Sequence, residues 1–175
     1  MKKAFEIIKP ILVLLSLCLV LTFALAATYN VTKPIIAERN KELEKEKMQK
    51  VLPDSVEFEQ LNINFEGGGG AYKETTGKGY VFMILSNGYN GEISFMISIS
   101  GDKQVKGIEI LKINETPGLG TKIKDVSYLE KFKDKSSDNY TQVDGISGAT
   151  ISSKALKAAV SNAFECFDRV KEENL

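Results

Sequence analysis

The chain has 175 residues, in which 23 basic residues balance 23 acidic ones, and it contains no histidine, no tryptophan and two cysteines. Without histidine, Ser-His-Asp and Cys-His catalysis are excluded, as are histidine-ligated haem and zinc. Two cysteines are too few to hold an iron–sulfur cluster, and the balanced charge gives no basis for binding nucleic acid. Chemistry must therefore come from a bound cofactor or from carboxylates, lysines and hydroxyls.

The N-terminal part of the sequence predicts a transmembrane helix. No charged residue occurs at residues 10–32, and residues 11–21 are almost wholly aliphatic. As a helix, residues 10–32 are roughly 35 Å long, enough to cross a hydrocarbon core of about 30 Å. The small residues at 24–26 are also compatible with a cleaved signal peptide. Because the uncharged stretch is longer than the apolar region of a typical signal peptide, we expect an uncleaved anchor.

The charges that flank this helix predict its orientation. Lys2, Lys3 and Lys9 outnumber Glu6 in the N-terminal tail, whereas the segment after the helix mixes both signs. The positive-inside rule then places the tail, residues 1–9, in the cytoplasm. The chain is expected to cross the cell (inner) membrane once, with its main domain on the extracytoplasmic side.

The rest of the chain divides into a charged linker and a domain. Residues 33–53 carry many charges of both signs and a thin apolar stripe, which predicts a solvated linker helix that Pro53 ends. Residues 54–175 then form the domain. Its first part is weakly patterned and includes four glycines at residues 67–70, which lack the lysine and hydroxyl of a P-loop. We interpret these glycines as a flexible connection.

An antiparallel sheet is predicted next in the chain. Residues 79–85 are an apolar run typical of a buried strand, and residues 92–100 alternate apolar and polar residues as a half-buried strand does. Residues 104–111 form a third apolar segment. Two Asn-Gly pairs lie between the first and second of these segments and are typical of hairpin turns. We therefore expect an antiparallel meander.

Two helices are predicted after these strands. The first is short, at residues 125–133, with Val126, Leu129 and Phe132 on one side. The second has apolar residues at helical spacing over residues 155–170, and Ser152 or Ser153 can cap its start. The fold class predicted for the domain is α+β, with helices packed against an antiparallel sheet.

Residues 144–154, Asp-Gly-Ile-Ser-Gly-Ala-Thr-Ile-Ser-Ser-Lys, bring small residues and hydroxyls directly to the start of the last helix. A helix N-terminus has free N–H groups and a partial positive charge, which favour a phosphate. The glycines of residues 144–154 would let the backbone approach a ligand, and Lys154 could add a positive charge. On these grounds alone, Thr150 or Ser152 is more often an ordinary helix cap.

Three motifs resemble those of a known family. Residues 144–150 resemble the flavinylation motif of the FMN-binding domain in the G subunit of the Rnf electron-transport complex, and the sodium-translocating NADH:quinone reductase has a similar domain in one of its subunits. Residues 115–120, Glu-Thr-Pro-Gly-Leu-Gly, resemble the family's loop beside the isoalloxazine ring. Residues 88–93 resemble a third element, in which the family usually has glycine and proline where Asn90 and Glu92 stand here.

The resemblance implies a membrane-anchored electron carrier with covalently bound FMN. In that family a flavin transferase joins FMN to the motif threonine through a phosphoester bond, and this threonine corresponds to Thr150. The other residues expected to contact the cofactor are Glu115, Thr116, Gly118, Leu119, Gly120, Ser147, Gly148, Ala149, Ser152, Ser153 and Lys154.

The resemblance also implies partners. These are the other membrane subunits of the Rnf complex and the flavin transferase that matures the protein. The uncharged helix adds membrane lipid as a partner, and the balanced charge gives no basis for a nucleic-acid partner. The implied complex is a ferredoxin:NAD⁺ oxidoreductase coupled to movement of Na⁺ or H⁺, and no independent catalytic centre is expected in this chain.

Other functions stay open from the sequence alone. The chain resembles, more distantly, the FMN-bearing subunit of a sodium-translocating NADH:quinone reductase, although its short length favours the Rnf subunit. A non-redox anchored binding module would use residues 147–153 only as a helix cap. An enzyme using Glu115 and Asp144 is the third class, but isolated acidic residues in turns are common.

Overall fold

The computed structural model of the protein describes residues 2–63, 65 and 67–173. The chain separates into two compact units, Met1–Glu44 and Lys45–Leu175. The second unit contains the sheet and begins earlier in the sequence than residue 54, where the composition places the start of the domain.

The first unit consists of helix. Helix α1 spans Lys2–Val51, continues through Pro10 and Pro34, and also supplies the first residues of the second unit. Among the described residues, this is the one helix long and apolar enough to cross a membrane, judged by length and composition. Its large apolar side chains from Ile11 to Ile36 are exposed, so they contribute to no core among the described residues.

The second unit is built on a five-stranded antiparallel sheet in which the strands pair in chain order. The strands are β1 (Phe58–Leu61), β2 (Gly68–Glu74), β3 (Gly79–Asn87), β4 (Glu92–Ser100) and β5 (Val105–Lys112). The predicted meander is confirmed as β3, β4 and β5, and the α+β fold class is confirmed as well.

The interpretation of the glycines at residues 67–70 as a flexible connection is wrong, because three of them lie in β2. Glycine has little intrinsic preference for strands, so the pattern does not reveal one. In the structure, pairing with β3 provides the order: Gly68 pairs with Ile84 and Gly70 with Met83, across a bulge.

Strand β4 is buried on both faces, not on one as its alternating pattern predicts. Its isoleucines and Phe95 belong to the core shared with the last helix. On the opposite face, Met96 packs with Val81 against Met48, Val51 and Leu52, at and just beyond the end of α1. The end of α1 therefore covers a face that the sequence pattern indicates is solvated.

The helices of the domain differ from the predictions mainly at their ends. Helix α2 spans only Val126–Leu129 and continues as a 3₁₀ turn, Glu130–Phe132, with Val126 exposed instead of packed beside Phe132. Helix α3 spans Thr150–Glu173. The predicted apolar face of α3 is confirmed as buried, from Ala155 to Val170. Because α3 begins at Thr150, both Ser152 and Ser153 lie inside its first turn and do not precede it as caps.

Candidate functional site

Three segments that are distant in the sequence meet at one groove of about 520 Å³. They are the turn between β3 and β4, the loop after β5, and the start of α3. The groove is lined by Tyr89, Glu115, Thr116, Leu119, Gly120, Gly148, Ala149, Thr150, Ile151 and Ser152. Its volume lies within the range of roughly 300–1,000 Å³ that small-molecule and cofactor sites occupy.

Most of the residues expected to contact a cofactor line this groove. The structure brings together Glu115, Thr116, Leu119, Gly120, Gly148, Ala149, Thr150 and Ser152. It does not place Gly118, Ser147, Ser153 or Lys154 in the lining. Gly118 instead donates its N–H to the Thr121 hydroxyl, 3.0 Å away, and Lys154 is exposed on α3 outside the groove.

Two of the lining residues, Tyr89 and Ile151, are not among those that the sequence predicts to contact a cofactor. Tyr89 is 69% exposed and Ile151 is 49% exposed. An aromatic residue between two Asn-Gly turn signals and an apolar residue directly after the motif threonine are the signals that could have identified them. Together with Leu119, 47% exposed, they give the groove an apolar wall that no described part of the chain covers.

Thr150 is the first residue of α3 and is exposed in the groove. The carbonyl of Ala149 accepts the N–H of Ser153 at 2.9 Å, so Ala149 has the position of a helix cap but offers no side-chain oxygen. The first N–H groups of a helix have no partner within the helix. Within the described part of the chain, the Thr150 hydroxyl makes no hydrogen bond.

The other two hydroxyls of this turn are engaged. Ser152 and Ser153 are each 2% exposed. The Ser152 hydroxyl donates to Glu115 Oε2 at 2.8 Å, and Ser153 Oγ accepts the N–H of Ile146 at 3.0 Å. Thr150 is therefore the hydroxyl of the turn that a ligand or an enzyme can reach.

The groove suits the parts of FMN. Its apolar wall can contact a flat ring, the start of α3 attracts a phosphate, and Gly148 keeps the backbone close to Leu119, whose Cδ2 would lie 3.3 Å from a Cβ added there. Among the described lining residues, Glu115 is the charged one, and its carboxylate is buried at 6% exposure.

Comparison with known proteins agrees with this geometry. A family model described as the FMN-binding domain matches residues 88–165, which include all three segments of the groove. The chain is 30% identical over 157 residues to the G subunit of the proton-translocating ferredoxin:NAD(+) oxidoreductase complex of Clostridium ljungdahlii, an alignment covering 85% of this chain and 84% of that protein.

Two further relatives align over almost their whole length. The G subunit of an ion-translocating oxidoreductase complex of Methanosarcina acetivorans is 32% identical over 181 aligned positions, with 94% of this chain and 96% of the relative covered. The G subunit of the Na(+)-translocating ferredoxin:NAD(+) oxidoreductase complex of Acetobacterium woodii is 29% identical over 190 positions, with 92% and 91% covered. The family resemblance of the motifs is confirmed: the chain belongs to the family of G subunits of Rnf-type ion-translocating oxidoreductase complexes and contains their FMN-binding domain.

Proposed function

We propose that this protein is a membrane-anchored electron carrier that holds FMN on Thr150 through a phosphoester bond. It would serve within an Rnf-type complex that couples ferredoxin:NAD⁺ oxidoreduction to Na⁺ or H⁺ translocation. One observation carries the proposal: the motif threonine is an exposed, unbonded hydroxyl at a helix N-terminus inside a groove of cofactor size. FMN supplies the electron-transfer chemistry that the side chains lack.

The residues of the groove suggest how they would hold the cofactor. The N–H groups and partial positive charge at the start of α3 would stabilise the phosphate. Tyr89, Leu119 and Ile151 would provide apolar contact to the ring. A covalent tether would keep the cofactor on a domain outside the cytoplasm, where free FMN would be lost by diffusion.

Attachment requires chemistry that the groove does not contain. A bond forms between Thr150 Oγ1 and the phosphorus of FMN, and the hydroxyl proton passes to a base of the modifying enzyme. The bond from this phosphorus to the oxygen that bridges to the donor's second phosphate breaks, so the other half of the donor leaves as a phosphate monoester. The donor must therefore be an activated FMN, of the flavin pyrophosphate class. Among the described lining residues, the one charged group, Glu115, already accepts three hydrogen bonds. This supports maturation by a separate flavin transferase.

The helix at the N-terminus supports a place in the membrane. Its apolar side chains are exposed over the stretch that has the length of a bilayer core. We propose one crossing at residues 10–32, with residues 1–9 in the cytoplasm and the FMN-binding domain on the extracytoplasmic side. Membrane lipid and the other subunits of the complex would then cover this apolar surface.

The test is to produce the full chain together with a flavin transferase and to measure its intact mass and in-gel flavin fluorescence. We expect an FMN-sized adduct on the natural protein and complete loss of the adduct in Thr150→Ala. Thr141→Ala, at an exposed threonine outside the groove, is the matched control and should keep the adduct. An adduct that persists in Thr150→Ala, or an unmodified Thr150 in the native membrane complex, would refute the proposal.

A further inference from the structure

Glu115 is a buried carboxylate with partners on two other segments of the groove. Its Oε1 accepts the backbone N–H groups of Tyr89 at 2.8 Å and Asn90 at 3.1 Å. Its Oε2 accepts the hydroxyl of Ser152 at 2.8 Å. Glu115 lies after β5, Tyr89 and Asn90 lie in the turn between β3 and β4, and Ser152 lies in α3. One side chain thus joins the three segments that form the groove.

Two glycines leave the space that this carboxylate occupies. A Cβ added at Gly88 would overlap Glu115 Oε1, and one added at Gly120 would overlap both Glu115 Oε2 and Ser152 Oγ. Neither glycine has a φ in the left-handed region, so the restricted space comes from neighbouring side chains. Glu115 is the nearest neighbour at both positions, together with Ile93 at Gly88 and Ser152 at Gly120.

We propose that Glu115 is a positioning residue, whose carboxylate holds the β3–β4 turn and the first turn of α3 around Thr150 instead of binding the flavin. A buried carboxylate is stable only when hydrogen bonds replace its water, and both oxygens of Glu115 are already engaged within the protein. The proposal rests on the proposed function, because it takes FMN to be the ligand that the groove receives. The hydrogen bonds themselves belong to the protein alone and can be tested without the cofactor.

Side-chain length and charge can be separated at this position. Glu115→Gln keeps the length: its carbonyl oxygen can accept both backbone N–H groups, and its amide can donate to Ser152 Oγ. The Ser152 hydroxyl then accepts that N–H and directs its own proton away from the side chain at position 115. Glu115→Asp keeps the charge but is one methylene shorter and cannot reach both segments. If Glu115 positions the groove, Glu115→Gln should therefore preserve the groove better than Glu115→Asp does.

The experiment has two readouts on the full chain in detergent: hydrogen exchange measured by mass spectrometry without flavin, and the fraction modified after production with a flavin transferase. In Glu115→Ala we expect exchange at residues 88–91 and 153–156 to accelerate by about tenfold or more, because hydrogen bonds to a charged group are lost. The modified fraction should fall in parallel. Glu115→Gln should restore the exchange rates and the modified fraction, whereas Glu115→Asp should not. The control is Glu92→Gln, which changes an exposed carboxylate beside the same turn.

The outcomes separate this proposal from the proposed function. If Glu115→Ala has the exchange rates and the modified fraction of the natural protein, the proposed role of Glu115 is overturned. Better rescue by Glu115→Asp than by Glu115→Gln would overturn it as well. A natural protein without any adduct would refute the flavin carrier, while the exchange rates would still decide whether Glu115 positions the groove. If Glu115→Ala does not fold, Ser152→Ala tests the proposal, because it removes the hydrogen bond between Ser152 and Glu115. We expect faster exchange at residues 153–156 only, and unchanged exchange there overturns the proposal.

Discussion

At the scale of the residue, Gly148 shows how the backbone itself forms part of the site. Its φ is 79°, in the left-handed region, immediately before the chain enters α3. A Cβ added there would lie 3.3 Å from Leu119 Cδ2, tighter than most real contacts. Gly148 thus turns the chain toward Thr150 and also lets the loop after β5 approach the start of the helix.

We expect Gly148→Ala to lower the free energy of unfolding by about 1–2 kcal/mol, the cost of a side chain in the left-handed region. The fraction of Thr150 modified by a flavin transferase should fall too, because Leu119 must move. Chemical denaturation and intact mass measure the two effects.

Gly145→Ala is the matched control in the same motif. Gly145 has no left-handed φ, and its Cβ would meet Ser153 Cβ at 3.5 Å, an ordinary contact. We expect a change within about 0.5 kcal/mol for this variant. Equal losses in both variants would show that the motif needs glycine for a reason other than the conformation at Gly148.

The sequence could identify the motif residues but not which hydroxyl of the turn is free. Thr150, Ser152 and Ser153 differ in exposure because α3 begins at Thr150, which turns the two serines toward the protein. The sequence could not identify the partners of Glu115 either. Asn90 and Ser152 are separated from it by 25 and 37 residues and contact it only in the tertiary fold.

At the scale of the element, Glu74 closes the hairpin between β2 and β3. Its side chain is fully buried and accepts the backbone N–H groups of Thr76 at 2.9 Å and Lys78 at 3.1 Å. Burial alone would raise the pKa of Glu74, but hydrogen bonds from Thr76, Lys78 and Val56 outweigh it, so the pKa lies below its ordinary value of 4.5. A lowered carboxyl pKa means that the folded state favours the ionised form and binds fewer protons than the unfolded state.

We therefore expect the natural protein to be more stable than Glu74→Gln at pH 7, with the difference shrinking as the pH falls below 4.5 and through the lowered pKa. Denaturant titrations of the full chain at stepped pH values measure this difference. Glu59→Gln, at an exposed position on the neighbouring strand, is the control and should leave the free energy of unfolding nearly unchanged. A difference for Glu74→Gln that grows with acidification would contradict the assigned direction.

The elements that the sequence predicts well are those whose own residues specify them. Strands β3 and β4 and helix α3 have strong apolar patterns, and all three are present. Strand β2 was missed because pairing with β3 orders its glycines. The second buried face of β4 was missed because Ser98 is polar, whereas in the structure its hydroxyl donates to the carbonyl of Val51 at the end of α1.

At the scale of the whole molecule, the balanced charge conceals an uneven distribution that bears on membrane topology. The basic N-terminal tail and the mixed charges of the rest are separated by an uncharged helical stretch. Such an arrangement favours retention of the tail in the cytoplasm. The groove around Thr150 would then be matured and used on the extracytoplasmic side, which makes the orientation a condition of the proposed function.

Single-cysteine labelling tests that orientation. With Cys18→Ala and Cys166→Ala as background, Lys3→Cys and Asp102→Cys report on the tail and on the exposed turn after β4. Burial raises the pKa of Cys166 to about 11, so this thiol reacts slowly near neutral pH, and its removal eliminates the remaining background. In spheroplasts, a membrane-impermeant maleimide should label Asp102→Cys, and it should label Lys3→Cys only after the membrane is permeabilised.

The opposite labelling pattern would reverse the orientation and with it the side on which FMN is attached. Processing is tested in the same samples by the intact mass of the membrane-bound protein. A mass lacking the residues up to the small-residue site at 24–26, together with no label on Lys3→Cys under any condition, would identify a cleaved signal peptide. Because a cleaved chain would lose most of the apolar stretch at residues 10–32, it would also leave the membrane on carbonate extraction, whereas an anchored chain should stay in the pellet.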